Sequence, residues 1–272
     1  MEEPQFEGIE VAASGARGEL HLNRPEKLNP LSHGTLRDLA EAARWFNARP
    51  DLKVVVVAGR GRAFSAGADL TAFAGSTAKD AWSRRRDADA GRLMADALEQ
   101  IAAVTIAKIH GHCVGGGVVL AGACDLRLAA EGTRFSIPEV DLGIPLAWGG
   151  IPRLVRDIGP ALTKELVMTC RPFDAAEARE AGFLNRVVPA EQLDREVEEL
   201  AALLESKPKL ALLATKRHTN AVTEEMVGTM RSWSDADGLL AGLGDTEGNE
   251  SAARYLARIS GSADAEGPGS QT

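Results

Sequence analysis

Cysteine is scarce in this sequence, and long apolar runs are missing from it. The three cysteines, Cys113, Cys124 and Cys170, form neither a CxxC pair nor an even-numbered disulfide framework, so a reducing cytoplasm is the expected location. No stretch approaches the roughly 20 apolar residues of a membrane-spanning helix. The first ten residues also lack a basic segment followed by an apolar core. We therefore expect neither an export signal nor a membrane partner.

Positive charge is also in short supply. The chain has 31 Lys and Arg against 39 Asp and Glu, which gives a net charge of -8. This balance disfavours a general nucleic-acid or anionic-membrane surface, so particular side chains have to bind any phosphate group. The 272 residues, 44% of them hydrophobic, are enough to bury a sizeable core. A globular protein of one large or two modest domains is expected.

Several common catalytic motifs are absent as well. The glycines of "GHCVGGGVVL" (residues 111–120) complete neither a phosphate-binding Walker loop nor a dinucleotide fingerprint. Ser65 lacks the GxSxG pattern of a nucleophile elbow, because Ala63 stands two residues before it. His110 and His112 have no third ligand at metal spacing, so no metal is expected.

The pattern along the first hundred residues predicts strands and helices in alternation. Residues 5–23 have the period-two pattern of a hairpin, and residues 32–46 repeat apolar side chains at helical spacing before the buried strand "KVVVVAG". A glycine-rich loop at 60–70 then leads toward a short helix. One longer helix is expected over 80–101, with Leu93 among its inward-facing residues.

The order of strand, glycine loop and helix then recurs. "VTIAKIHG" predicts a strand, "HGHCVGGG" a loop, "VVLAGAC" a helix, and "DLRLAA" and "RFSI" two more strands. Pro138 in "PEVDLGIP" favours the first turn of a helix. After Pro160 the chain becomes mostly helical, with Asp174 and Glu177 as a capping box. Strands alternating with helices indicate an α/β fold.

Composition sets the expected domain boundaries. We expect a core at 1–205 and a C-terminal helical region at 206–259. Residues 260–272, which consist of Ser260 and "GSADAEGPGSQT", have the composition of a disordered tail.

Two glycine-rich loops, at 60–70 and 110–117, both run from a strand through small residues toward a helix. The first N–H groups of a helix are unpaired, and its dipole favours negative charge there. Two such loops are able to present N–H donors to one oxygen, as an oxyanion hole does. The alternative for the three glycines is a tight turn packed against a neighbouring backbone.

Five motifs give the sequence its resemblance to a known family. "LNRPEKLNPLS", "GRAFSAGADL", "HGHCVGGGVVLAGACDLRLA", "FSIPEVDLGIPLAWGGIPRLVRDIG" and "EAREAGFLNRVVP" resemble, in order and spacing, the enoyl-CoA hydratase/isomerase family, the crotonases. The likeness covers about residues 5–205. It implies a crotonase-like ββα spiral whose C-terminal helical region mediates trimers, often paired into hexamers. It also implies an acyl-CoA thioester as ligand, with coenzyme A as part of the substrate and no prosthetic group.

The same resemblance assigns the reacting groups. The two N–H donors to the thioester oxygen fall at Ala68 and Gly116, and the proton-transfer residue falls at Glu139. A carboxyl group beside apolar "FSI" suits general acid/base work, because partial burial raises its pKa toward the working range. The alternative for Glu139 is a charge that stabilises a helix N-terminus.

Coenzyme A itself needs contacts to its phosphates and its adenine. Arg24 and Lys27 match the family's loop on the phosphate side, and the backbone around Ala66 matches its adenine pocket. Arg24 has an alternative role in stabilising the end of the hairpin.

The sequence departs from the family where a second acid is expected. Hydratases of the family hold water between two glutamates, and the second position falls at Val119; the aspartate of dienoyl isomerases falls at Ala147. Only Glu139 remains, and since one carboxylate is able to move a proton between two carbons, isomerisation is favoured over hydration. Asp141, two residues after Glu139, is an alternative second acid, although on a helical turn it would face another way from Glu139. Trp148 is expected to wall the acyl pocket.

Two other functions stay open on the sequence alone. One is a non-catalytic acyl-CoA binding protein that keeps the oxyanion loops. The other is a hydrolase or decarboxylase of CoA thioesters on the same scaffold, for which no nucleophile is recognisable.

Overall fold

The structure is a computed structural model that describes residues 3–69 and 80–265, and nine strands and ten α-helices occur within these residues. The strands are β1 (Ile9–Ser14), β2 (Arg17–Leu22), β3 (Val54–Gly59), β4 (Val104–Ile109), β5 (His112–Val114), β6 (Leu126–Ala130), β7 (Arg134–Ser136), β8 (Phe173–Asp174) and β9 (Arg186–Val188). The helices are α1 (His33–Asn47), α2 (Ala81–Ala88), α3 (Ala90–Glu99), α4 (Gly116–Gly122), α5 (Gly150–Thr169), α6 (Ala175–Glu180), α7 (Leu193–Glu205), α8 (Lys209–Met226), α9 (Asp235–Leu243) and α10 (Thr246–Ala265). Short 3-10 helices span Pro25–Lys27, Ala190–Gln192 and Thr229–Ser234.

A six-stranded sheet in the order β1-β2-β3-β4-β6-β9 forms the centre of the described chain. The β1–β2 hairpin is antiparallel and the other pairs are parallel. Every residue of β3 is buried, because α1 and α3 cover one face of the sheet while α7 covers the other. A parallel strand covered on both faces is apolar throughout, which explains the unbroken valines of "KVVVVAG".

A smaller sheet in the order β5-β7-β8 lies apart from the large one. The chain passes from β4 to β5 and then into α4, and from β6 to β7 and later into α5, so each unit places one strand in each sheet before its helix. This repeat of two strands and a helix, followed by C-terminal helices, confirms the expected α/β fold class. Strand β5 lies within the segment predicted as the loop "HGHCVGGG".

The prediction of a single helix over 80–101 is wrong. The segment forms α2 and α3, separated at Asp89, whose carboxylate accepts a 2.7 Å hydrogen bond from Arg92. Leu93 is 48% exposed, whereas Met94 is fully buried. Because adjacent residues of a helix point about 100° apart, Met94 faces the sheet and Leu93 does not.

Residues 138–144, here called the Glu139 turn, form hydrogen-bonded turns rather than the predicted helix. The N–H of Leu142 donates to the carbonyl of Pro138 (3.0 Å), as in a first helical turn. Gly143 then adopts a φ of +70°, and a Cβ there would lie 2.3 Å from the backbone of Gly248. The left-handed conformation ends the turn, and the bare glycine lets α10 approach it.

The C-terminal half follows the prediction more closely. Asp174 caps α6 by accepting a hydrogen bond from the N–H of Glu177 (2.9 Å), which confirms one of the two hydrogen bonds of the predicted capping box. Helix α10 continues to Ala265, so it includes the first residues of the tail that was expected over 260–272. Residues 266–272 lie outside the described part of the chain. The short helix predicted after the loop at 60–70 falls within 70–79, also outside the described residues. No helix in 3–69 or 80–265 combines the length and apolar composition that a bilayer crossing requires.

Candidate active site

An apolar cavity of about 170 Å³ lies between the start of α4, the Glu139 turn and the C-terminal helices α9 and α10. Glu139 is the one ionisable side chain among the residues that line this cavity in the described part of the chain. The lining consists of Ala68, Gly116, Val119, Glu139, Leu142, Ile144, Pro145, Leu146, Ala147, Trp148, Leu239, Leu243, Asn249, Ala252 and Leu256.

The backbone at Gly116 opens α4 toward the cavity. Gly115 precedes the helix with a φ of +48° and donates its own N–H to the carbonyl of Ser136 (2.9 Å). The N–H groups of Val118 and Val119 both donate to the carbonyl of Gly115. Within the described residues no hydrogen bond uses the N–H of Gly116, so this donor is available to a ligand.

A second donor comes from the loop before residue 70. The N–H of Leu31 donates to the carbonyl of Gly67 (2.8 Å), and the N–H of Asp69 donates to the carbonyl of Leu31 (3.1 Å). These two bonds flank Ala68, whose own N–H therefore points away from Leu31, because successive backbone groups of an extended segment alternate in direction. No hydrogen bond in the described residues uses that N–H.

Ser65 fixes the loop that carries Ala68. Its hydroxyl donates to the carbonyl of Asn29 (2.8 Å) and accepts the N–H of Gly67 (3.1 Å). Its backbone pairs with β5, since its N–H donates to the carbonyl of His112 and its carbonyl accepts the N–H of Val114, both at 3.0 Å. Ser65 thus has a structural role, and this pairing brings the two predicted donor loops together.

Glu139 lies against Gly115, the residue that precedes α4. A Cβ at Gly115 would lie 2.5 Å from Oε1 of Glu139, so only glycine leaves room for the carboxyl group. Oε2 of Glu139 is buried without a hydrogen-bond partner in the described residues. Burial raises the pKa of Glu139 to about 7, because the charged form loses its water and a hydrogen bond from its own backbone N–H compensates only in part. A carboxyl group with a pKa near 7 is suited to take and return a proton.

This raised pKa predicts the pH dependence of any reaction in which Glu139 acts as a base. The carboxylate is the active form, so kcat/KM is expected to rise about tenfold per pH unit below pH 7 and to level off above it. Initial rates measured from pH 5 to 9 test this. A profile that levels off near the ordinary carboxyl pKa of about 4.3 would contradict it.

The positions of the missing acids also line the cavity. Val119 and Ala147 are both buried there, and neither side chain is able to transfer a proton. Asp141 does not line the cavity, and its carboxylate pairs with Arg258 (3.1 Å, Nη2 to Oδ2). The Asp141 carboxylate therefore lies outside the described lining that Val119 and Glu139 share.

The residues predicted for coenzyme A lie in the neighbouring loops rather than in the cavity lining. Ala66 donates its N–H to the carbonyl of Leu28 (2.8 Å), which places the loop of Ala66 beside the loop of Arg24 and Lys27. Arg24 faces Asp69, with 3.5 Å between Nη1 and Oδ2, while Lys27 is exposed. The structure therefore brings the two loops together at the side of the Ala68 donor.

Asn29 is a supporting residue that the sequence analysis missed. It is buried at a φ of +56°, and its amide donates to the carbonyls of Arg60 and Ala63, both at 2.9 Å, while its Oδ1 accepts the N–H of Arg24. Its side chain thus ties the Arg24 loop to the Ala68 loop. The sequence contains one signal for the role of Asn29, namely its residue type, because asparagine tolerates the left-handed conformation better than most residues.

The C-terminal helices contribute to the cavity, which the sequence analysis also missed. Leu239 and Leu243 on α9 and Ala252 and Leu256 on α10 line it, in each case four residues apart. This spacing places each pair on one helix face. In the described residues, no three His, Cys, Asp or Glu side chains cluster as a metal site requires.

Two free N–H groups and one buried carboxyl group in an apolar cavity suit an enzyme that stabilises an oxyanion while a proton moves. Comparison with known proteins agrees with this class. The model of the enoyl-CoA hydratase/isomerase family matches residues 14–258. The chain therefore belongs to the enoyl-CoA hydratase/isomerase family.

Individual relatives carry names of both reaction types. A crotonyl-CoA hydratase from Syntrophomonas wolfei is 33% identical, over 86% of this chain and 90% of that protein. A peroxisomal Delta(3,5)-Delta(2,4)-dienoyl-CoA isomerase from Arabidopsis thaliana is 32% identical, over 80% of this chain and 83% of that protein. The crystal structure of an enoyl-CoA hydratase from Mycobacterium avium subsp. paratuberculosis is similar with a TM-score of 0.82 at 26% identity, over 93% of this chain and 97% of that one.

Proposed function

We propose that this protein moves a double bond within an unsaturated acyl-CoA thioester, and that it hydrates such a bond poorly. One observation carries the proposal: Glu139 is the one ionisable side chain in the described lining of the cavity, and Val119 and Ala147, at the positions where the resemblance implies further acids, line it as well. A single carboxyl group suffices for isomerisation, because the same group is able to take a proton and return it.

The thioester oxygen is held by the N–H groups of Ala68 and Gly116. Both residues line the cavity, and both N–H groups are free of hydrogen bonds in the described chain. As a proton leaves C2 of the acyl group, negative charge develops on this oxygen. Donors already aimed at that position stabilise the enolate without reorganising.

Glu139 moves the proton. Its carboxylate removes a proton from C2 of a 3-enoyl thioester, and the C–H electron pair forms a dienolate that extends to the thioester oxygen. The dienolate then takes the same proton from the Glu139 carboxyl group at C4. The double bond passes from C3–C4 to C2–C3, and Glu139 returns to its carboxylate form. A pKa of about 7 makes both directions of transfer accessible near neutral pH.

Hydration requires an oriented water molecule, and the described lining supplies few groups to orient it. A buried water is typically held by two to four polar partners. Here Val119 and Ala147 line the same cavity as Glu139, and neither has a polar group in its side chain. Water is therefore held weakly at the position from which it would attack C3.

Coenzyme A is placed by the loops beside the Ala68 donor. We assign the phosphates to Arg24 and Lys27 and the adenine to the backbone near Ala66. Asp69 competes for Arg24 in the ligand-free protein, and this competition costs little, because the pair is partly solvent-exposed at a separation of 3.5 Å.

Assembly into a homotrimer, alone or paired as a hexamer, is part of the same proposal. Large apolar side chains on α8 and the adjoining 3-10 helix support it, since Leu210, Met226, Met230 and Trp233 are each more than half exposed in the isolated chain. Apolar side chains of this size are removed from water when another copy of the chain covers them, which favours association.

The proposal is tested by offering 3-enoyl-CoA and 2-enoyl-CoA thioesters of equal chain length in separate reactions. Mass spectrometry detects a water adduct, and ultraviolet absorbance detects conjugation of the double bond with the thioester. We expect isomerisation of the 3-enoyl compound and at least about 100-fold slower hydration of the 2-enoyl compound, a loss in the range that general acid/base catalysis supplies. Faster hydration than isomerisation would overturn the proposal. Tight binding without turnover of either compound would favour a binding protein instead.

A further inference from the structure

We infer that Trp148 closes the inner wall of the acyl cavity and so restricts this enzyme to short acyl chains of about four to six carbons, a size judged from the known fit of benzene to a cavity of similar volume. The inference rests on the proposed binding of an acyl-CoA thioester. It adds a substrate class and the residue that sets it.

The Trp148 indole lies in a slot made by two glycines. A Cβ at Gly91 on α3 would lie 2.0 Å from the indole, and a Cβ at Gly116 would lie 2.2 Å from its Cζ3 atom. No side chain other than hydrogen fits at either position while the ring stays where it is. The ring therefore lies between α3 and the donor residue Gly116, next to the carbons that follow the thioester carbonyl.

The backbone of Trp148 is held in an unusual conformation. Its φ is +62°, in the left-handed region that a bulky residue rarely adopts. Its carbonyl accepts a hydrogen bond from the buried Arg153 (3.4 Å), and the next N–H, that of Gly149, donates to Asp235 (2.8 Å). Strain of this kind persists where the surrounding contacts fix it, and it is concentrated at functional sites. The position of the indole is thus set from both its ring and its backbone.

The remaining volume bounds the acyl group. Trp148 is 6% exposed and shares the cavity lining with Glu139 and with apolar side chains of α9 and α10. The cavity holds about 170 Å³. An apolar protein cavity of about 150 Å³ holds one benzene molecule, which has six carbons. A longer chain would have to displace the indole or leave the cavity.

Binding of saturated acyl-CoA thioesters tests this without requiring any reaction. We would titrate butyryl-, hexanoyl-, octanoyl- and decanoyl-CoA by calorimetry into the wild type, Trp148→Ala and Trp148→Phe. We expect the wild-type affinity to fall at least tenfold from hexanoyl- to octanoyl-CoA. Trp148→Ala is expected to bind octanoyl-CoA at least tenfold more tightly than the wild type and butyryl-CoA more weakly, with Trp148→Phe between them.

Trp82→Ala is the matched control, because Trp82 is 69% exposed on α2 and does not line the cavity. It is expected to reproduce the wild-type profile. Circular dichroism of each variant shows whether it folds, and Trp148→Phe keeps the test open if Trp148→Ala does not. A wild-type affinity that stays level or rises from butyryl- to decanoyl-CoA would overturn the inference, as would Trp148 variants that change all four affinities by one factor. Failure to bind a thioester of any length would overturn the proposed ligand as well as the inference. That result is distinguishable from a wrong chain-length preference, which would overturn the inference alone.

Discussion

Glu139→Gln is expected to lower kcat for isomerisation of a 3-enoyl-CoA by about 10³-fold, within the 10²- to 10⁴-fold range that a positioned acid/base group contributes. Glutamine keeps the shape of the side chain and is unable to take or return a proton. The cavity lining in the described chain offers no other ionisable group to take over. The measurement is the steady-state rate of conjugation, with the saturated thioester as a binding control.

The same substitution is expected to stabilise the protein at high pH. Glu139 has a pKa of about 7 in the folded protein against an ordinary pKa of 4.5, so the folded state binds more protons than the unfolded state between these pH values. Its contribution to stability is complete below about pH 4.5 and is lost as the pH rises through 7. At pH 8, Glu139→Gln is therefore expected to raise the free energy of unfolding by an amount on the order of 1 to 3 kcal/mol.

These two effects together separate chemistry from folding. Urea unfolding of the wild type and Glu139→Gln at pH 5 and pH 8 gives the stability difference, which is expected to be larger at pH 8. A variant that is more stable and inactive has lost proton transfer rather than structure. Isomerase activity of Glu139→Gln within tenfold of the wild type would contradict the role assigned to Glu139.

Gly116→Ala is expected to lower kcat/KM by about 10² to 10³, the loss that follows removal of one oxyanion donor. The added Cβ would lie 2.2 Å from the Trp148 indole, and that ring is confined on its far side by Gly91. Since the indole has no room to retreat, the start of α4 has to shift. The N–H of residue 116 then no longer points at the thioester oxygen.

Gly122→Ala is the matched control on the same helix. A Cβ at Gly122 would have no neighbour closer than 3.8 Å, which is ordinary van der Waals contact. Alanine is the better helix former by about 1 kcal/mol, so this variant is expected to keep wild-type kcat/KM at equal or greater stability. Equal kcat/KM values for Gly116→Ala and the wild type would show that this N–H does not stabilise the enolate.

Local patterns predicted most of the architecture. Alternating residues in β1 and β2, the apolar run of β3 and the spacing of α1 each reflect contacts with a face of the same element, and such contacts leave a period in the sequence. The expected helix at Pro138 failed for a different reason. Gly143 leaves the helical conformation where α10 packs on it. The sequence near residue 143 does not predict this contact with Gly248, because the two residues are distant along the chain.

The candidate site divides in the same way. The resemblance predicted Ala68, Gly116 and Glu139 as site residues, and it implied further acids at positions 119 and 147, where the sequence has valine and alanine. The fit of Gly115 to the Glu139 carboxyl group had no local signal, because it depends on two segments that meet only in the folded chain. The slot that Gly91 provides for the Trp148 indole is of the same kind.

By itself, the sequence determined the inventory of side chains: the five motifs of this family, Glu139 as the candidate acid, and valine and alanine at positions 119 and 147, where the resemblance implies further acids. The tertiary structure decided how that inventory works. Packing removes water from Glu139, which raises its pKa to about 7, and it confines the Trp148 indole between two helices. Both properties arise from contacts between distant segments, and the free energy of a buried charge or a filled slot depends on those neighbours rather than on the residue alone.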